Sequence, residues 1–93
     1  MRNHEISDST FLDDVWAEVR IAREKFPGPN PTVAALAEEV GEVAKAMLHI
    51  REGKHNNWWL VYKEAVQVAA MALRCATEGD ETIGAVPTAE NCK

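Results

Sequence analysis

Glutamates are the residues in this chain whose type and spacing best suit chemistry. Glu38, Glu39 and Glu42 occur together in the segment LAEEVGEVAKA. An α-helix has about 3.6 residues per turn, so these side chains project from neighbouring positions on one side. At about 5 Å, two carboxylates repel by roughly 3 kcal/mol at an effective dielectric near 20. The stripe therefore needs a bound cation or a basic partner such as Lys45 or His49, unless it is simply a solvated helix face.

A further glutamate, Glu64, is predicted to project among apolar residues of a later helix. Its helical neighbours are Leu60, Val68 and Met71. An unpaired charge in such surroundings costs free energy. Gln67 adds an amide oxygen one turn later, and oxygen ligands from two facing helices suit a hard cation such as Mg²⁺. A buried ion pair of Glu64 with Lys45 or Arg74 is the alternative interpretation.

Other candidate residues give weaker signals. Trp58 and Trp59 could stack on a base, but aromatic residues at a helix start more often anchor a core or an interface. Glu52 and His55 have the spacing of di-iron bundles, although Gly53 between them indicates the end of a helix. Isolated basic residues are more often surface or salt-bridge partners than phosphate ligands; the candidates are Lys45, Lys54, His55 and Lys63.

The first predicted helix runs from Ser9 or Thr10 to Lys25. Its apolar residues recur every three or four positions, at Leu12, Val15, Trp16, Val19, Ala22 and Phe26. The run PGPNP at 27–31 ends it, because proline lacks a backbone N–H and disfavours helix in the preceding residue. Asn30 is then the predicted N-cap of the second helix.

The second predicted helix runs from about Pro31, a residue tolerated in a first turn, to Arg51, with Gly53 as its stop. Its predicted core face comprises Val33, Leu36, Ala37, Val40, Ala44, Met47 and Leu48. Apolar residues at this spacing line one side of a helix.

The third predicted helix begins after a cap at Asn56 or Asn57 and continues to about Glu78, before Gly79. It is apolar around nearly its whole circumference, so it should be buried on more than one side. Three helices of one chain can hardly do that alone. We therefore expect an all-α helical bundle of about three helices per chain, completed by association into a homodimer or homotetramer.

Length and composition indicate a single globular domain spanning residues 1–93. The chain is 46% hydrophobic and 27% charged, a balance typical of folded proteins. We expect a core over about 9–79 and a loosely ordered tail over 80–93, where no helical period is present.

Charge and cysteine content exclude several classes of protein. The net charge of −5 opposes binding to DNA or RNA, and no basic cluster offsets it. Cys75 and Cys92 form neither a disulfide framework nor a metal-binding spacing. No apolar run is long enough to span a bilayer, so we expect no membrane partner and a cytoplasmic protein with reduced thiols.

Two of these segments together resemble the acidic signature of the MazG-like nucleoside triphosphate pyrophosphohydrolases. They are LAEEVGEVAKA at 36–46 and YKEAVQVAA at 62–70. The family pattern is Glu-x-x-Glu on one helix and Glu-x-x-Asp on the next, often with another glutamate before the first pair. Here the matching residues are Glu38, Glu39, Glu42 and Glu64, and Gln67 stands where the family has aspartate. The resemblance covers about 16–80.

This resemblance implies an all-α oligomer that binds Mg²⁺ and cleaves a nucleoside triphosphate to the monophosphate and pyrophosphate. It implies metal ligands at Glu39, Glu42 and Glu64, with Gln67 in the remaining ligand position. Glu38 becomes a further ligand or the group that aligns water, so the catalytic set is Glu38, Glu39 and Glu42. Lys45 and Lys63 are the candidate contacts for substrate phosphates.

Two other functions remain open on the sequence. Gln67 removes a negative charge from the pattern, which favours a catalytically silent bundle acting as a nucleotide-sensing or protein-interaction module. A purely structural helical oligomer would bind no Mg²⁺ at all.

Overall fold

The computed structural model describes residues 6–93 and consists mainly of three α-helices. They are α1 (Asp8–Lys25), α2 (Thr32–Arg51) and α3 (Trp58–Glu78), and a short 3₁₀ helix (Glu81–Ile83) follows. Within 6–93 there is no β-strand, only an isolated bridge between Asp80 and Ala85. The predicted all-α class and the three helices are confirmed. No helix in this described part of the chain is both long and apolar enough to cross a membrane.

Local capping explains where α1 and α3 begin. The Ser7 side chain accepts a hydrogen bond from the Thr10 backbone N–H, so α1 begins slightly before its predicted start. The Asn57 side chain caps α3 by accepting from the Trp59 N–H, as predicted.

The start of α2 differs from the prediction. Helix α2 begins at Thr32, so Pro31 and not Asn30 occupies the N-cap position, and Asn30 Nδ2 donates to the Phe26 carbonyl at 2.8 Å. Instead, Asp80 Oδ2 accepts from the Val33 N–H at 3.0 Å. Thr32 Oγ1 also donates to the Gly79 carbonyl at 2.9 Å. A residue just beyond α3 therefore satisfies a free N–H at the first turn of α2.

The segment after α3 contains regular structure although its sequence shows no helical period. Asp80 and Ala85 exchange two backbone hydrogen bonds, of 2.6 and 3.0 Å. The Asp80 side chain also accepts from the Thr82 hydroxyl and backbone N–H. This closed turn holds Asp80 against the start of α2.

Helix α3 lies between the other two helices and packs against both. Val15 and Val19 of α1 form a buried cluster with Tyr62, Val66 and Ala70 of α3. No Cα atom of α1 comes within 8 Å of one in α2. The two outer helices therefore stand apart on either side of α3, which confirms that α3 is buried on more than one side.

Most of the predicted core face of α2 is wrong for the single chain. The side of α2 that meets α3 carries residues that are buried or partly buried: Thr32, Ala35, Leu36, Glu39, Val43, Ala46 and Ile50. Of these, only Leu36 belongs to the predicted face. The rest of that face points away: Val33 is 52% exposed, Val40 47% and Met47 49%. Helix α2 has two apolar stripes at helical spacing, and the one that includes Val43 and Ala46 lies against α3. We call the exposed stripe the outer face of α2; it comprises Val33, Ala37, Val40, Ala44 and Met47.

Candidate functional site

Two carboxyl groups meet where α2 faces α3. Glu39 of α2 and Glu64 of α3 are both partly buried, and their side chains lie within hydrogen-bonding range of each other. The predicted convergence of two helices on one acidic site is therefore present for these two residues. We call them the carboxyl pair.

The repulsion within the acidic cluster acts on Glu39. Burial raises the pKa of this carboxyl, and the nearby charges of Glu64, Glu38 and Glu42 raise it further, as does the hydrogen bond with Glu64. Glu38 and Glu42 lie exposed on α2. A raised pKa means that the negative charge of Glu39 is less favourable in the folded protein than in water. A bound cation would relieve the same repulsion.

A metal site at Glu39, Glu42, Glu64 and Gln67 stays a prediction. Among residues 6–93, no group of three or more acidic, histidine or cysteine side chains is arranged to hold a metal ion. Mg²⁺, however, usually keeps several water molecules and binds through one or two carboxylates plus substrate phosphates. The carboxyl pair fits that mode of binding.

The predicted basic residues fall into two groups. Lys54 forms an ion pair with Glu52 at 3.3 Å, and His55 Nε2 lies 3.1 Å from the Ala46 carbonyl oxygen, so both have structural partners. Lys45 and Lys63 are exposed, and neither forms an ion pair within the described range 6–93. Only these two lysines remain candidates for phosphate binding.

The alternative of a buried ion pair at Glu64 is not supported. Arg74, only 3% exposed, pairs with Glu78 instead, with an Nη2 to Oε1 distance of 2.8 Å. Its Nη2 also donates to the Phe26 carbonyl, and Arg23 reaches the same glutamate at 3.0 Å. The hydrogen bond from Arg74 is the main reason that the pKa of Glu78 is lowered. This network fastens the end of α1 to the end of α3.

A cleft adjoins the carboxyl pair, and nothing in the sequence analysis pointed to it. It occupies the gap between α1 and α2, with α3 as its floor, and has a volume of about 290 Å³. We call it the central cleft; its lining includes Glu18 and Phe26 from α1 and its end, Ala35 and Glu39 from α2, and Gln67 and Met71 from α3. Only the separation of α1 from α2 creates this space, and a helical period does not show that separation.

A scan of protein-family models and searches of curated proteins and of solved structures found no match to this chain. The resemblance to the MazG-like family therefore stays a prediction from the residues of its two acidic segments.

Proposed function

We propose that the protein is a Mg²⁺-dependent nucleoside triphosphate pyrophosphohydrolase of the MazG-like class, releasing a nucleoside monophosphate and pyrophosphate. The observation that carries the proposal is the contact between Glu39 and Glu64 across α2 and α3. Two facing carboxyls in a partly buried position are unfavourable as bare charges, and a divalent cation makes them favourable.

The residues around the pair suit this reaction. The carboxyl pair would hold Mg²⁺, which would neutralise negative charge on the phosphate oxygens. Exposed Glu38 and Glu42 can orient the attacking water and accept its proton, since both reach solvent beside the pair. The ammonium groups of Lys45 and Lys63 would attract the triphosphate.

Pyrophosphate release from a panel of nucleoside triphosphates, with Mg²⁺ and with EDTA, tests the proposal. We expect Mg²⁺-dependent release by the parent protein and a loss of at least about 100-fold in Glu64→Gln, which removes half of the ligand pair. Glu24→Gln, at an exposed position on α1, is the matched control and should retain activity. Release from none of the nucleotides, or equal activity of Glu64→Gln and the parent, would exclude this function.

A silent nucleotide-binding or protein-interaction bundle is the second candidate. It is favoured by Gln67, which lines the central cleft beside Glu39 in place of the family's aspartate. In that case the parent binds nucleotides without releasing pyrophosphate. The variant Gln67→Asp distinguishes a family member that has lost one metal ligand from a protein with an unrelated function. The restored carboxylate should strengthen Mg²⁺ binding only if position 67 corresponds to the family's aspartate.

We also propose that the chain forms a homodimer or homotetramer in the cytoplasm, with the outer face of α2 at an interface between copies. Its five residues are separated alternately by four and three positions, the spacing of a helix–helix seam. The residues that flank it, Leu36, Gly41, Val43, Leu48 and Ile50, are uncharged. In an antiparallel pair centred between Val40 and Ala44, Val40 would face Ala44 and Met47 would face Ala37, so the middle of the stripe is self-complementary.

A further inference from the structure

We propose that the central cleft binds the base of a nucleotide and that Glu18 selects bases carrying an exocyclic amino group. The identity of the ligand as a nucleotide rests on the proposed function. The choice among bases rests on the shape and the hydrogen-bonding groups of the cleft itself.

The dimensions of the cleft suit a flat ring better than a whole nucleotide. Its volume is about 290 Å³, near the lower end of the usual range of about 300–1,000 Å³ for ligand pockets. It lies between helices α1 and α2, which stand apart. A planar group can enter such a slot while the rest of the molecule stays outside.

Apolar side chains line part of the cleft. Phe26 lies at the α1 end, Met71 lies on the α3 floor, and Ala22 and Ala35 contribute small surfaces. An aromatic ring and a thioether both make favourable contacts with the face of a base. These contacts favour bases in general and distinguish little between them.

The polar groups of the cleft are mostly hydrogen-bond acceptors. The Glu18 carboxylate forms no hydrogen bond or ion pair that the structure records within 6–93. Asn30 uses Nδ2 to donate to the Phe26 carbonyl, which leaves its Oδ1 to accept. The Arg74 guanidinium commits Nε and Nη2 to Glu78 and the Phe26 carbonyl, which leaves Nη1 as its remaining donor.

This distribution of acceptors favours ligands that donate hydrogen bonds. Cytosine, adenine and guanine carry an amino group that can donate to a carboxylate, whereas uracil and hypoxanthine place a carbonyl oxygen where cytosine and adenine have the amine. A carbonyl oxygen facing Glu18 would leave the carboxylate unpaired and would repel it. The cleft should therefore bind bases with an amino group at this position more tightly than bases with an oxo group there.

The position of the cleft places the phosphates near the acidic cluster. Glu39 belongs to both the carboxyl pair and the cleft lining, and Gln67 lies beside it. A base seated between α1 and α2 would thus extend its sugar and phosphates toward Glu39 and Glu64. One bound nucleotide can occupy both sites.

Calorimetric titration with nucleoside monophosphates in EDTA tests the inference without metal or turnover. The pairs CMP with UMP and AMP with IMP each exchange one amino group for one oxygen. We expect the amino member of each pair to bind at least about tenfold more tightly. In Glu18→Gln this ratio should fall toward one, while Glu24→Gln, exposed on the same helix, should keep it. Equal affinities within both pairs for the parent protein would overturn the inference.

A measurement on the parent protein alone guards against variants that misfold. Titration of AMP should shift the NMR signals of Ala22, Phe26 and Met71, and shifts confined to other residues would contradict the proposed location. The two proposals also fail separately. Selective binding without pyrophosphate release would refute the proposed activity and support the base site. Pyrophosphate release without base discrimination would support the activity and refute the base site.

Discussion

The surroundings of Glu39 in the carboxyl pair make its negative charge unfavourable, and we propose that bound Mg²⁺ offsets this cost. Glu39 is partly buried beside three other glutamates, and these surroundings raise its pKa above the ordinary value of 4.5. The folded state therefore holds a proton at Glu39 more strongly than the unfolded state. By linkage, stability falls as the pH rises from 4.5 through the folded-state pKa.

Replacing Glu39 by glutamine should therefore stabilise the metal-free protein at neutral pH. We expect a gain of roughly 0.5–1 kcal/mol, kept small by solvent screening. The gain should shrink as the pH falls below 4.5, where the parent carboxyl is protonated in both states. Excess Mg²⁺ should reverse the order, because only the parent retains the full ligand pair.

Thermal unfolding in EDTA at several pH values, repeated with Mg²⁺, checks this expectation. Glu24→Gln serves as the exposed control and should follow the parent throughout. A variant less stable than the parent in EDTA at neutral pH would show that Glu39 is not under repulsion.

The sequence predicted the candidate site only in part. Helical spacing placed Glu39 and Glu64 on facing helices, and the structure brings them together. Helical spacing does not determine whether the side chains of Glu38 and Glu42 also turn toward Glu64, and in the structure both lie exposed on α2. Glu18 was missed because it lies on a different helix from the acidic stripe, and only the packing of α1 places it in the central cleft.

The helices themselves were largely predictable from local signals. The ends of α1, α2 and α3 at Lys25, Arg51 and Glu78 agree with their predicted ends, and Asn57 caps α3 as predicted. The errors concern α2. Asp80, which accepts a hydrogen bond from the first turn of α2, lies 47 positions from Val33 in the sequence. The predicted orientation of α2 was also wrong, because two apolar stripes of this helix compete for α3 and periodicity alone does not rank them.

The cap that Asp80 supplies to α2 should be important for stability. Asp80→Asn keeps the shape but removes the charge and weakens three hydrogen bonds, from Val33 N–H and from the N–H and hydroxyl of Thr82. We expect the melting temperature to fall by about 5 °C at neutral pH. Asp13→Asn, exposed on α1, is the control.

The same carboxylate predicts a pH dependence. The hydrogen bonds from Thr82 and Val33 lower the pKa of Asp80 below its ordinary value of 3.8. The stability that it contributes is present above 3.8 and is lost as the pH falls through the lower folded-state pKa. The parent and Asp80→Asn should therefore converge in acid; a constant difference in melting temperature across the whole range would contradict this account.

At the scale of the whole molecule, the proposal that the outer face of α2 joins copies of the chain can be tested. We predict that Val40→Glu, which places a charge at the centre of this face, dissociates the oligomer while circular dichroism still shows helix. Lys25→Glu introduces a carboxylate at an exposed position on α1 and should leave assembly unchanged. Sedimentation velocity at micromolar concentration distinguishes the two, and a parent that sediments as a monomer would refute the interface.

The bond between Asp80 and the start of α2 also has a consequence for synthesis on the ribosome. The first turn of α2 is complete in sequence when Ala35 emerges, yet the carboxylate that accepts from the Val33 N–H lies 47 residues after Val33. During translation, the first turn of α2 therefore lacks this hydrogen bond until α3 and the turn after it have left the exit tunnel. We expect the nascent chain to become resistant to protease in one late step, because native contacts so distant in sequence form only when both partners are available.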